Sequence, residues 1–173
     1  MGLIHIYCGS GKGKTTAALG LAIRAAGQGM RVHIVQFMKG SPTGELNSLK
    51  LIPQISVERC DRNYGFTFNM NDSEKLLLKE CCAKLLRNAF KILENGETDV
   101  LILDEFNTAY NLNLLDRELA DRLVFENNGR VELVLTGRDP NRKFIDIADY
   151  VSEINALKHP LKNGIKARRG IEF

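Results

Sequence analysis

A glycine-rich segment near the start of the sequence constrains the fold more than any other feature. Residues 9–16 read Gly-Ser-Gly-Lys-Gly-Lys-Thr-Thr. They follow a short apolar run, Leu3–Cys8, and lead into Thr15–Gln28, where Ala, Leu and Ile recur at helical spacing. The glycines let the backbone turn tightly with its N–H groups pointing at an anion, and the following helix adds the positive end of its dipole. A strand, this loop and a helix in succession predict a phosphate-binding loop.

The loop residues have expected roles in holding a nucleoside triphosphate. Lys14 would reach the distal phosphates, and the Thr15 hydroxyl would bind Mg²⁺ or Mn²⁺. The spacing departs from the standard Walker A pattern, since Cys8 stands where the first glycine should fall. The alternative is a plain glycine-rich turn that binds no phosphate. The position of Gly-Lys-Thr-Thr, at the start of a helix and directly after a strand, argues against that alternative. The expected phosphate-binding residues are Gly9, Ser10, Gly11, Lys12, Gly13, Lys14, Thr15 and Thr16.

A second feature, an apolar strand that ends in two acids, complements the loop. Asp104 and Glu105 follow the predicted strand Asp99–Leu103 directly. In phosphate-loop enzymes an acid at this place completes the metal site opposite the loop threonine. Because Mg²⁺ takes oxygen ligands, the candidate metal ligands are Thr15, Glu105 and Asp104, with phosphate and water completing the set. The structural alternative is that Asp104 caps a helix beginning at Glu105.

The rest of the sequence alternates strand and helix patterns. This alternation predicts an α/β protein with the three-layer fold of the P-loop NTPases, in which helices cover both faces of a mostly parallel sheet. Ligands in such sheets bind beyond the carboxyl ends of the strands, where the unusual residues of this sequence fall. We expect residues 39–53 to be irregular and Asn71, with Glu74 three residues on, to begin a helix. The predicted strands are Leu3–Cys8, Arg31–Met38, Ile55–Cys60, Asp99–Leu103, Arg130–Leu135 and Tyr150–Ile154, and the predicted helices are Thr15–Gln28, Asn71–Asn95, Asp116–Asn128 and Asp139–Ala148.

Composition narrows the class of protein. The 173 residues suffice for one domain with a single core, so we take residues 1–173 as one nucleotide-binding domain. Hydrophobic residues make up 44% and charged residues 26%, and the net charge of +3 is too small to argue for nucleic acid. The sequence shows no signal-peptide pattern and no apolar run of about 18 residues, so we expect a cytoplasmic protein that does not span a membrane.

The cysteines predict neither a zinc site nor a redox motif. Cys8, Cys60, Cys81 and Cys82 form no Cys-x-x-Cys pair. We therefore expect all of them to be thiols, with Cys81 and Cys82 acting as small apolar residues of a helix.

Together with the loop and the acidic strand end, several further segments resemble the ATP:corrinoid adenosyltransferases of the P-loop type, which make adenosylcobalamin. The resemblance covers nearly the whole chain, and that family also has a non-glycine residue where Cys8 stands. The segments that carry the resemblance are residues 9–18, 23–27, 35–40, 103–105, 135–138, 146–149, 151–153, 158–160, 164–167 and 170–173.

The resemblance implies a specific reaction. Co(I) of cobalamin or another corrinoid would attack the 5′ carbon of ATP and release triphosphate, which Lys14, Thr15 and a metal held by Thr15 and Glu105 would stabilise as it leaves. Arg24 and Arg138 are candidate nucleotide contacts by their match to family segments. The resemblance also implies a homodimer and a reductase that supplies electrons to the corrinoid, with no nucleic-acid or membrane partner.

The segment Gly65–Phe68 is similar to the family segment whose aromatic side chains line the lower face of the corrin. Phe66 and Phe68 would exclude the lower axial ligand there and so make Co(II) easier to reduce. The second aromatic of that family segment is often Trp, whereas this sequence has Phe68. Burial of both phenylalanines in the core is the alternative.

Two rival functions remain at the level of sequence. The first is another P-loop enzyme, such as a nucleoside kinase or an ATPase. A kinase would need a site for the acceptor hydroxyl with a base beside the γ-phosphate, and Asp104 could serve as that base. A nucleotide-gated binding module, with its basic tail on RNA or protein, would retain nucleic acid in a salt-dependent way.

Overall fold

The fold is a six-stranded parallel sheet between helices, seen in a computed structural model that describes residues 1–61 and 70–171, without the side chains of residues 161 and 162. The strand order is β3-β2-β4-β5-β1-β6. The strands are β1 Ile4–Cys8, β2 Val32–Gln36, β3 Ile55–Arg59, β4 Val100–Asp104, β5 Glu132–Thr136 and β6 Tyr150–Glu153. The helices are α1 Lys14–Gly27, α2 Gly44–Leu49, α3 Asp72–Asn95, α4 Phe106–Asn111, α5 Arg117–Phe125 and α6 Arg142–Ile145, with a 3₁₀ turn at Pro160–Asn163.

Alternation along the central strands divides the core into two layers. Leu101 and Leu103 of β4 face a layer built with α3, α4 and α5, whereas Val100 and Ile102 face α1. A strand that is buried on both faces must be apolar at every position, and this explains the uninterrupted run of β4. The expected α/β sheet with helices on both faces is therefore confirmed. In the described parts of the chain no helix is long and apolar enough to cross a membrane.

The helix starts follow the capping chemistry of the sequence in most places. The Asn71 side chain accepts a hydrogen bond from the Glu74 backbone N–H, and the Asn71 N–H donates one to the Glu74 carboxylate, so α3 begins with the expected capping box. The helix predicted over Asp116–Asn128 is α5, Arg117–Phe125, and the Asp116 side chain caps it by accepting a hydrogen bond from the Leu119 N–H.

Two helical predictions were wrong. Residues 39–53 include α2, because Gly44 lies at the first position after the cap residue Thr43, where it does not break a helix. The helix predicted from Asp139 begins instead at Arg142, because the Asn141 side chain accepts a hydrogen bond from the Lys143 N–H and serves as the cap.

The cysteine chemistry also differs from the prediction. Cys60, which follows β3, forms a disulfide with Cys81 of α3, with their Cα atoms 6.1 Å apart. The expectation of four thiols is therefore wrong for Cys60 and Cys81. The two cysteines are 21 residues apart in the sequence, and no local pattern shows that they pair. Cys8 and Cys82 are buried thiols, and burial raises the pKa of Cys82 to about 11.

The disulfide predicts a measurable contribution to the free energy of unfolding. Replacing Cys60 and Cys81 with alanine should lower the free energy of unfolding by about 3 kcal/mol, because the bond closes a loop and restricts the unfolded chain. Urea unfolding monitored by circular dichroism measures the loss, and wild-type protein in dithiothreitol should show a similar one. The double variant should not respond to dithiothreitol. An identical urea midpoint for oxidised and reduced wild type would contradict the assignment.

Candidate active site

The phosphate loop turns between β1 and α1 at the carboxyl edge of the sheet. Gly13 has a backbone φ of 123°, a conformation that favours glycine, and α1 begins at the next residue, Lys14. The Lys14 ammonium donates to the carbonyl oxygens of Gly9 and Gly11, each at 2.8 Å. Burial lowers the pKa of Lys14, while the nearby Glu105 opposes that shift. The lysine is thus held inside the loop, where a phosphate oxygen could replace the carbonyls as its acceptor.

The position of the first loop glycine has a steric explanation. A Cβ atom on Gly9 would lie 2.5 Å from the Ile154 carbonyl oxygen, and one on Gly11 would lie 2.7 Å from the same atom. The Gly11 N–H donates to that oxygen at 2.7 Å. The loop therefore packs against the chain leaving β6, and the contact requires glycine at positions 9 and 11. Cys8 is the buried last residue of β1 and lies before this contact. This accounts for the first glycine of the loop falling at position 9 and not at position 8.

Asp104 lies at the centre of a hydrogen-bond network, and its side chain is 1% exposed. Its Oδ1 accepts from Thr15 Oγ1 at 2.9 Å and from Thr136 Oγ1 at 2.7 Å. Its Oδ2 accepts from Lys39 Nζ at 2.6 Å and from Gln36 Nε2 at 3.3 Å. These four donors occupy the lone pairs of the carboxylate. Asp104 is therefore not the cap of α4, the structural role considered above.

Glu105 takes the cap position of α4 in a strained backbone conformation, with φ of 60°. Its N–H donates to Thr136 Oγ1 at 2.9 Å, and its Oε2 accepts from Thr108 Oγ1 at 2.7 Å. Glu105 also lines the cavity above the phosphate loop, whereas Asp104 lies beneath it. Backbone strain of this kind persists where the surroundings hold it in place, and it is common at functional sites.

Sequence reasoning missed three residues of this network. Thr136 ends β5, the strand between β1 and β4, and it bridges Asp104 and the Glu105 N–H. Gln36 and Lys39 come from the end of β2 and the turn after it. The sequence did predict that the carboxyl ends of the parallel strands lie along the same edge of the sheet, where ligands bind. That rule identifies the loops but not which of their side chains belong to the site.

A divalent cation fits beside Thr15 and the two acids. The Lys39 ammonium contacts both Thr15 and Asp104, so this position already accommodates a positive charge. Gln36 Oε1 is buried with no hydrogen-bond partner among the described residues, and it could accept from a metal-bound water. Within residues 1–61 and 70–171, no group of three or more His, Cys, Asp or Glu side chains could hold a metal. The protein would therefore supply few ligands, as is typical of Mg²⁺ bound with substrate phosphates.

The cavity above the loop has a volume of about 750 Å³, within the range of small-molecule sites. Arg138 lines it, next to Gly137, whose close approach to Thr108 leaves no room for a Cβ atom. Arg24, the other candidate nucleotide contact, lies exposed in the last turn of α1 and does not line this cavity. The carboxyl-terminal segment closes one side of the cavity through His159, Gly170 and Ile171.

The aromatic segment predicted to face the corrin, with Phe66 and Phe68, lies outside the described residues. The residues that flank it are fixed. Cys60 is buried and bonded to Cys81, and Met70 is buried just before the cap of α3. Cys60 and Met70, the residues on either side of 61–69, are therefore both part of the core.

Comparisons with known proteins show which family the chain resembles and which fold it shares. The family model described as ATP:corrinoid adenosyltransferase BtuR/CobO/CobP matches residues 1–173. The corrinoid adenosyltransferases of Escherichia coli K12 and Salmonella typhimurium LT2 are each 35% identical over 173 residues, covering 99% of this chain and 86% of theirs. That of Pseudomonas aeruginosa is 35% identical over 175 residues, covering 99% and 84%. A KaiC-like protein from Pyrococcus horikoshii OT3 shares the fold, with a TM-score of 0.57, 14% identity, and coverage of 90% of this chain and 73% of that one.

The phosphate loop assignment predicts the effect of removing one charge. Lys14→Met should weaken binding of inorganic tripolyphosphate by about 10- to 100-fold, because charge-assisted hydrogen bonds are lost. Isothermal titration calorimetry measures the affinity, and Lys84→Met, which removes an exposed lysine of α3, is the matched control. Equal affinities of the two variants for tripolyphosphate would refute the assignment.

Proposed function

This chain belongs to the ATP:corrinoid adenosyltransferase family, and we propose that its phosphate loop binds the triphosphate of ATP while the 5′-deoxyadenosyl group passes to Co(I) of cobalamin or another corrinoid. The enzyme is accordingly a transferase of cobalamin biosynthesis. The observation that carries the proposal is the cavity in which Lys14, Thr15, Glu105 and Arg138 meet.

The reaction is a displacement at carbon. The electron pair of Co(I) forms the bond to C5′ of ATP, the bond between C5′ and O5′ breaks, and triphosphate leaves with O5′. Negative charge grows on the leaving group, so preorganised positive groups next to the phosphates lower the barrier. No proton is removed from the nucleophile, and the mechanism requires no general base.

The residues of the loop would act on the leaving group. The Lys14 ammonium exchanges the carbonyls of Gly9 and Gly11 for phosphate oxygens, and the N–H groups at the start of α1 point toward the same anion. Arg138, in the turn after β5, adds a second cation to the lining of the cavity. Burial of Lys14 strengthens its interaction with phosphate, because the surroundings screen charge less than water does.

Mg²⁺, or Mn²⁺, would be held by Thr15 and Glu105, and when bound it would neutralise charge on the triphosphate. Asp104 would orient the Thr15 hydroxyl by accepting its hydrogen bond at Oδ1, which leaves the lone pairs of Thr15 Oγ1 for acceptor contacts, one of them with Lys39 Nζ. This division gives the half-buried Glu105 to the cation and the buried Asp104 to positioning.

The network around Asp104 argues against a kinase. The base of a kinase must accept a proton from the acceptor hydroxyl, but Asp104 already accepts four hydrogen bonds within the protein. Glu105 Oε2 is likewise bonded to Thr108. The site is therefore better suited to stabilising a leaving group than to deprotonating a nucleophile.

The corrinoid would lie next to the segment between Cys60 and Met70. We assign Phe66 and Phe68 to the lower face of the corrin by their match to the family segment. Binding there would exclude the axial ligand and ease reduction of Co(II) to Co(I) by a separate reductase. We also propose that the enzyme is a homodimer and that it acts in the cytoplasm.

Adenosylation itself is the first test. Purified protein with ATP, Mg²⁺ and chemically reduced cob(I)alamin under anaerobic conditions should form a light-sensitive adenosylcobalamin, followed by its absorbance. Lys84→Met should keep this activity and Lys14→Met should lose at least about 100-fold. ATP binding without adenosylcobalamin formation would return the kinase and the nucleotide-gated binding module to consideration.

The metal assignment predicts a shifted cation requirement. Glu105→Gln should raise the Mg²⁺ concentration for half-maximal activity by about tenfold or more, because a carboxylate ligand becomes a neutral amide. Glu80→Gln, an exposed acid of α3, should leave the Mg²⁺ titration unchanged. An unshifted titration for Glu105→Gln would move the direct ligand to Asp104.

The aromatic assignment predicts an effect on reduction more than on transfer. Phe68→Ala should slow adenosylation from Co(II) with a mild reductant by a larger factor than from preformed Co(I), because a missing ring readmits the axial ligand. Parallel assays of the two starting states measure the ratio, and Phe68→Trp should restore it. Equal losses from both starting states would assign Phe68 to the core.

A further inference from the structure

Lys39 contacts the same two oxygens that flank the proposed cation position. Its Nζ lies 2.9 Å from Thr15 Oγ1 and 2.6 Å from Asp104 Oδ2. Because Thr15 donates its own proton to Asp104 Oδ1, it is a lone pair of Thr15 that faces the ammonium. A metal bound to Thr15 would use a lone pair of this hydroxyl as well.

We propose that the Lys39 ammonium and the divalent cation are alternative occupants of one position, and that the triphosphate drives the exchange by accepting the displaced ammonium. The proposal rests on the metal site of the proposed function and assigns its regulation to a residue of this chain. In this scheme Lys39 contacts Asp104 before the substrates bind and the triphosphate afterwards.

The burial of Asp104 favours a cation at this position. Asp104 is 1% exposed, and a buried carboxylate is costly without an opposite charge. Its other described partners, Thr15, Thr136 and Gln36, are neutral. Lys39 supplies the opposite charge, and a divalent ion could supply it instead.

Charge disfavours binding of both cations together. Mg²⁺ binds oxygen at about 2.0–2.1 Å, so a metal on Thr15 Oγ1 would lie no more than about 5 Å from the Lys39 ammonium, which is 2.9 Å from the same oxygen. Two positive charges at such a separation repel strongly in a site screened from water.

The backbone aims Lys39 at this position. Gln36 pairs with Asp104 across β2 and β4, and the Phe37 N–H donates to the Asp104 carbonyl oxygen at 3.0 Å. Met38 then adopts a φ of 62°, which is unusual for a residue other than glycine. The Lys39 side chain is 27% exposed, so it has a route to the cavity, whose lining it joins with Lys14 and Thr15.

The exchange predicts coupled binding of metal and triphosphate. In wild type, Mn²⁺ alone must displace an ammonium from a buried carboxylate, whereas tripolyphosphate gives that ammonium a new partner. Tripolyphosphate should therefore raise the affinity for Mn²⁺ by a larger factor in wild type than in a variant without the Lys39 charge.

Electron paramagnetic resonance of unbound Mn²⁺ tests the exchange without any turnover. Lys39→Met prepared without nucleotide should bind Mn²⁺ at least about tenfold more tightly than wild type, and Lys39→Arg should bind as weakly as wild type. Lys50→Met, which removes an exposed lysine at the end of α2, is the control for net charge and should match wild type. If Lys39→Met does not fold, Lys39→Gln, which keeps a donor for Asp104, replaces it.

Two negative results have different meanings. Unchanged or weaker Mn²⁺ binding by the folded Lys39 variant, with wild type binding Mn²⁺ in the presence of tripolyphosphate, overturns the exchange and leaves the metal site intact. Absence of Mn²⁺ binding by wild type even with tripolyphosphate overturns the metal site itself and the exchange with it.

Discussion

The buried carboxylate of Asp104 is the interaction on which the site depends. It ends β4, and its partners come from α1, β2, β5 and the turn after β2, so one side chain connects four segments of the carboxyl edge. A charge removed from water must be hydrogen-bonded and compensated, and this requirement fixes the relative positions of those segments. Thr15 is held in place by it, and so is the start of the helix that faces the phosphates.

The strand order makes this network possible. β5 lies between the phosphate-loop strand β1 and the acidic strand β4, so Thr136 at its end can donate to Asp104 and accept from the Glu105 N–H at the end of β4. On the far side of β1, β6 leads into the segment that packs on Gly9 and Gly11. The phosphate loop is thus held from two sides by strands that are distant in sequence, and the cavity between them is preorganised for an anion.

Much of this could be predicted from local patterns. The phosphate loop, the acidic strand end and the capping box at Asn71 each depend on residues within one short segment, and the structure places each of them as expected in the fold. The roles of Gln36, Lys39 and Thr136, and the pairing of Cys60 with Cys81, depend on contacts across the sheet or between a strand and a helix. A single sequence does not encode those contacts as a visible pattern. The identities of the ligands came instead from the family resemblance, because a phosphate loop serves many reactions.

The central claim is that the loop holds triphosphate as a leaving group from carbon. ATP labelled with ¹⁸O at the O5′ atom that joins C5′ to the α-phosphorus tests it directly, with cob(I)alamin as the nucleophile and mass spectrometry of both products. The account predicts that the label is found in intact triphosphate and that adenosylcobalamin carries none of it, because the bond between C5′ and O5′ breaks. Label retained in ADP, with unlabelled inorganic phosphate released, would show cleavage at phosphorus and contradict the account.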